Sequence, residues 1–152
     1  MTQIPQLEPI FNEKIVKQLI RDEGKVAHAY YDSLGFLTIG VGHLIDARKG
    51  GTLPDFIITT LLEHDIEKHG NELFAALPWA KNLDPPRRAV LINMAFNLGV
   101  KGLLGFANTL AAVKDGAWAN AAHRMLQSKW ADQVGARATR LAEQMRTGEW
   151  VD

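Results

Sequence analysis

The chain has 152 residues, with 17 basic and 17 acidic side chains and no formal net charge. A chain of this length buries enough surface for one core, and two full domains would crowd it. Neutrality excludes a protein built mainly to coat nucleic acid or an acidic membrane, though not a local basic face. The absence of cysteine excludes disulfide scaffolds, thiolate metal sites and cysteine nucleophiles.

Residues 1–11 read as an irregular lead-in, broken by Pro5 and Pro9. No basic segment followed by an apolar run is present, so neither a signal peptide nor a membrane span is expected. Asn12 is placed to cap a helix carrying Ile15, Val16, Leu19 and Ile20 on one face and ending near Gly24. The stretch YYDSLGFLTIGVGHL then reads as a strand, a turn at Asp32–Gly35 and a second strand through Phe36–Ile39. A polar loop follows at Arg48–Thr52. Helical spacing of apolar residues returns from Phe56 to Phe74, with an irregularity expected at Gly70 and a stop at Pro78.

Asp84-Pro85-Pro86 is a strong helix start, a capping side chain followed by prolines in the first turn. From Ala89 to Leu98 the run is almost wholly apolar, which predicts a helix buried all round and stopped by Gly99. Helices are then expected over about 106–114, 117–130 and 136–146, the last ended by Gly148. Strands are confined to about 27–45, so the fold class is α+β, a small β lobe inserted in a mostly helical body. The expected organisation is a single domain: a β lobe at about 24–52, a connecting helix at about 53–77 and a helical lobe at about 78–152. A cleft between the lobes and a hinge at the connecting helix go with that reading.

Glu23, Asp32 and Thr38 are the strongest chemical constellation. Glu23 follows Leu19 and Ile20 by four and three residues, which sets its carboxyl on the apolar helix face. A carboxyl held against apolar groups stays protonated to higher pH, as a general acid requires. Asp32 stands in a turn where water and backbone amides keep a carboxylate ionised. Thr38 carries a hydroxyl across the hairpin. An acid, a carboxylate and a water-holder are the minimum for glycoside hydrolysis. Spacing alone leaves the plainer alternative open: a solvated Glu at a helix end, and an Asp bonded to its own turn.

The motifs go further. DEG at 22–24, YYD at 30–32, Gly35 and TIGVGH at 38–43 together give Glu-x8-Asp-x5-Thr followed by IGxGH. This signature resembles that of the phage lysozymes (endolysins). RRAVLINMAFNLG at 87–99, GFANTL at 105–110, SKW at 128–130 and RTGEW at 146–150 resemble later blocks of the family in the same order. The resemblance implies a muramidase that cuts the β-1,4 bond between N-acetylmuramic acid and N-acetylglucosamine, with inversion and without cofactor or metal. It implies that Glu23 protonates the leaving oxygen while Asp32 and Thr38 position water. A carboxyl separation of about 6.5–9.5 Å would mark inversion, and about 5–5.5 Å retention.

The same matching implies that Leu44 and Phe96 line the sugar cleft and that Thr109 offers a hydroxyl there. Arg137 falls where the family pairs an arginine with the catalytic glutamate, and His43 with Asp65 matches a structural ion pair. Arg124 departs from the family pattern, which carries an amide there. The segment between His43 and Asp65 is short, so a third strand should be short or missing.

Other motifs are weaker. His64 and His69 diverge on a helix, unlike HExxH. Gly40-Val41-Gly42 is too short for a dinucleotide loop. Gly99, Gly102 and Gly105 fit a tight helix connection, and the four tryptophans fit core packing better than a stacking platform.

The expected partner is bacterial peptidoglycan, engaged by a monomer, with no nucleic acid and no stable membrane insertion. The resemblance implies synthesis in a host cytoplasm and action in the periplasm, with access through a pore-forming partner or cell breakage. Three rivals stand beside it: a lytic transglycosylase, a non-catalytic wall-binding module, and membrane killing by an amphipathic C-terminal helix. Neutrality itself divides unevenly. Residues 1–84 hold 8 basic and 12 acidic side chains, and residues 85–152 hold 9 and 5. The second part, at +4, should attract anionic wall, and the attraction should weaken with salt.

Overall fold

The first helix, α1, spans Pro9–Glu23 and ends where Gly24 takes a positive φ of 78°. It starts three residues before Asn12, so the irregular lead-in is corrected at Pro9–Phe11. Proline suits the first helical turn because its φ is already helical and its missing N–H has no partner there. The computed structural model describes residues 9–41, 43–44 and 53–152, without the side chains of 9–12, 23 and 44. Pro5 and the Arg48–Thr52 loop lie outside the described residues. The chain forms two compact units, Met1–Ile58 and Thr59–Asp152, and the division falls within a helix.

In the first unit, β1 (Val26–Tyr31) and β2 (Leu37–Gly40) pair antiparallel, with Tyr30 opposite Thr38 and Tyr31 opposite Leu37. The register is irregular between Val26 and Tyr30. The turn is built locally. Gly35, at φ 82°, donates its N–H to the Asp32 carbonyl at 3.0 Å, and the Asp32 N–H reaches the Phe36 carbonyl at 2.9 Å. A third strand, β3, exists but is only His43–Leu44, pairing with Ile39 and Thr38. The short third strand therefore agrees with the shortened segment.

The apolar stripe expected on α1 is present in sequence but little buried. Val16, Leu19 and Ile20 are exposed. Helical periodicity specifies a stripe; what covers it is a tertiary matter. The same holds for α2, Asp55–Ala76, where Phe56, Ile58, Leu61, Leu62 and Ile66 are exposed. The helix runs unbroken through Gly70, which is buried, so the expected irregularity is absent.

The second unit holds the core. Its buried apolar residues run from Leu73 to Met145 and include Val90, Leu91, Met94, Leu103, Val113, Met125 and Trp130. A 3-10 helix at Pro78–Asn82, not expected from sequence, joins α2 to α3 (Pro85–Leu104). The start of α3 is as read: the Asp84 carboxylate accepts the Arg87 N–H at 3.3 Å, with prolines in the first turn. Its burial is not as read. Val90, Leu91, Met94 and Ala95 are buried, but Phe96 and Asn97 are exposed, so one face of this helix stays open. Gly99, at φ 73° and ψ 156°, breaks the helix as expected, and helical backbone resumes to Leu104.

Four helices complete the unit: α4 (Ala107–Lys114), α5 (Trp118–Leu126), α6 (Lys129–Val134) and α7 (Ala136–Thr147). The single helix expected over 117–130 is two. Ser128 divides them: its hydroxyl donates to the Met125 carbonyl at 2.7 Å and accepts the Ala131 N–H at 3.2 Å, capping α6. Gly148 closes α7 in the left-handed region.

Arg87 ties that end to α3, donating to the Met145 carbonyl at 2.7 Å and the Arg146 carbonyl at 3.1 Å. Its guanidinium also lies 4.1 Å from the Trp118 ring centroid. Trp150 is exposed, contrary to the core role expected of the tryptophans.

Candidate active site

Asp32 is held by its own hairpin. Its Oδ1 accepts the Leu34 N–H at 2.9 Å and the Phe36 N–H at 2.8 Å. These are the backbone bonds of an Asp-initiated turn, so the plain structural role is real. It does not exhaust the side chain, because both bonds fall on one oxygen.

Thr38 lies on β2, beside Leu44 of β3 in the register, and is 3% exposed. Its hydroxyl donates to the Phe36 carbonyl at 3.0 Å. With its proton committed, the oxygen has lone pairs left to accept from a water. One carbonyl-to-amide turn, Asp32–Phe36, therefore orients both groups.

Glu23 is the last residue of α1, placed there by the glycine that follows. Its side chain lies outside the described residues, as does its carboxyl separation from Asp32. The apolar neighbours expected to shelter it, Leu19 and Ile20, are 46% and 36% exposed. Leu44 belongs to β3, and its side chain also lies outside the described residues. His43 is half-buried, and among the described residues its Nε2 has no hydrogen-bond partner.

In the second unit, two hollows collect the remaining candidates. One, of about 390 Å³, is lined by Leu62, Ile66, Ala89, Ile92, Asn93, Phe96 and Arg137. It brings Phe96 and Arg137 together. The Phe96 ring also meets His69 at 5.2 Å between centroids. Arg137 is held by Asn93, whose Oδ1 accepts from Nε at 3.0 Å and from Nη2 at 2.7 Å. The second hollow, of about 290 Å³, sets Thr109 beside Arg124. Asp65 is half-buried on α2.

Two residues escaped the sequence reading. Asn93 positions Arg137, and Asn97 accepts the Trp130 indole N–H at 2.8 Å. The signal was available. They are the asparagines of an otherwise apolar stretch from Ala89 to Leu98, and a polar side chain on a packed helix generally has a partner to hold.

Comparisons with known proteins place the chain in a family. The family model described as Phage lysozyme matches residues 21–147, a span that contains every candidate above. The protein named "Probable T4-type lysozyme 1" of Dictyostelium discoideum is 28% identical, over 88% of this chain and 94% of its own length. "Probable T4-type lysozyme 2" of the same organism is 26% identical, over 84% and 90%. "Pre-baseplate central spike protein Gp5" of Enterobacteria phage T4 is 28% identical over 90% of this chain, which corresponds to 28% of the spike protein.

Proposed function

The chain belongs to the phage lysozyme family and is a glycoside hydrolase of the lysozyme kind, and on that premise we propose that it hydrolyses the β-1,4 bond between N-acetylmuramic acid and N-acetylglucosamine with inversion. The observation that carries the reading is the hairpin. Its turn fixes the Asp32 carboxylate with two backbone donors, and the Thr38 hydroxyl, whose proton goes to the Phe36 carbonyl, keeps its acceptor lone pairs.

In this mechanism Glu23 gives its proton to the glycosidic oxygen as the bond to the anomeric carbon breaks. A water donates one hydrogen to Asp32 and the other to the Thr38 oxygen, so its lone pair points at that carbon. Attack from the face opposite the leaving group transfers the water's proton to Asp32 and inverts the centre. Leu44 and Phe96 pack against the sugars and Thr109 hydrogen-bonds the substrate. Arg137, held by Asn93, orients Glu23. His43 and Asp65 take the supporting roles that the resemblance implies. The chain acts as a single lysozyme-like domain.

The protein works as a monomer and reaches periplasmic peptidoglycan from the cytoplasm through a pore-forming partner or cell breakage. Among the described residues no single helix is long and apolar enough to cross a membrane.

Proton NMR of a fresh digest tests the stereochemistry. Inversion of a β bond gives the α-anomer first, with the β-anomer growing in as the new end equilibrates. A β-anomer formed first would overturn inversion and assign Asp32 the nucleophile's role.

A further inference from the structure

The hollow around Thr109 contains more binding chemistry than a neutral sugar uses. Thr109 is 5% exposed, yet its hydroxyl makes no hydrogen bond to another described residue, and it lines the space. Arg124 lines the same space. Its Nε donates to the amide oxygen of Asn120 at 3.1 Å, one turn away on α5, which fixes the plane of the guanidinium. Among the described residues it has no acidic partner and its two terminal nitrogens are uncommitted. The remaining lining is Gly105, Phe106, Ala107, Asn108, Gln127 and Ser128, which brings no carboxylate.

A guanidinium with both terminal nitrogens free matches a planar oxyanion, and a nearby hydroxyl can supply a third donor. The β-1,4-linked sugars of peptidoglycan are neutral at their hydroxyl and acetamido groups. Its carboxylates lie on the peptide that each muramic acid bears. We infer that Arg124, with Thr109, binds a free carboxylate of the peptide stem, so that this chain discriminates charged from amidated wall. The inference rests on the peptidoglycan reading and adds the substrate class of this hollow.

The test uses sacculi with native carboxylates and the same sacculi amidated with carbodiimide and ammonia. Wild type should show kcat/KM about fivefold higher on native material, the scale of one partly exposed charge-assisted contact. Arg124→Gln keeps hydrogen-bonding capacity without charge and should bring that ratio close to one through a raised KM, with its Tm unchanged. Lys114→Gln loses the same charge outside the hollow and should keep the wild-type ratio. That control separates a local contact from general attraction to an anionic wall.

Co-sedimentation of the three proteins with both sacculi gives a readout independent of cleavage. An unchanged ratio for Arg124→Gln in both assays would overturn the inference, as would loss of the ratio in Lys114→Gln. If wild type cleaves neither material, the hydrolase reading fails, and co-sedimentation still decides whether Arg124 recognises the carboxylate.

Discussion

Glu23→Gln should lower kcat on peptidoglycan by about a hundredfold to ten-thousandfold, the usual contribution of a positioned general acid. The substitution keeps size and hydrogen-bonding capacity and removes the transferable proton. Glu23 ends α1 beside Gly24, whose positive φ turns the backbone there. Tm should therefore change little, and binding to sacculi should persist. Turbidity clearing of outer-membrane-stripped bacteria, run beside thermal melts, checks both halves. A variant that still clears at the wild-type rate would remove Glu23 from the mechanism and return the membrane-killing rival. A wall-binding module would show no clearing even as wild type.

Asp32 offers a sharper dissection, because its two roles fall on different atoms and properties. Asp32→Asn retains a side-chain oxygen able to accept from Leu34 and Phe36, so the turn should stand and Tm should hold. It loses the negative charge that takes the proton from water, so kcat should fall about a hundredfold or more. Asp32→Ala removes both. It should show the same catalytic loss together with about 1 kcal/mol of destabilisation for the lost turn bonds. If Asp32→Asn stayed fully active while Asp32→Ala lost stability, Asp32 would be a turn residue alone. The two variants measured together by steady-state kinetics and melting separate chemistry from architecture.

The candidate site was legible in sequence where it is local. Asp32, Gly35 and Thr38 lie within one hairpin, so turn chemistry and strand alternation place them without distant contacts. Gly24, Gly99 and Gly148 were readable as helix stops because each stands at a positive φ that other residues resist. Asp84 with its two prolines marked α3 for the same reason: a cap is decided within one turn.

What sequence did not give is non-local or competitive. Ser128 interrupts a continuous helical pattern because its hydroxyl bonds backbone on both sides, which no periodicity registers. Arg87 reads as an ordinary helix arginine, yet it bonds carbonyls 58 and 59 positions away. The open face at Phe96 and Asn97, and the exposed stripe of α1, depend on what packs against a helix and not on its own spacing. Asn93 became a positioning residue only when α7 set Arg137 against it.

Mass spectrometry of the products from purified peptidoglycan tests the central claim most directly. Hydrolysis by water held at Asp32 and Thr38 adds one water per cut and leaves reducing muramic acid ends, which borohydride then reduces. That is the predicted result, absent with Glu23→Gln. Products ending in 1,6-anhydromuramic acid, resistant to borohydride and lighter by one water, would contradict it and assign the chain to the transglycosylases.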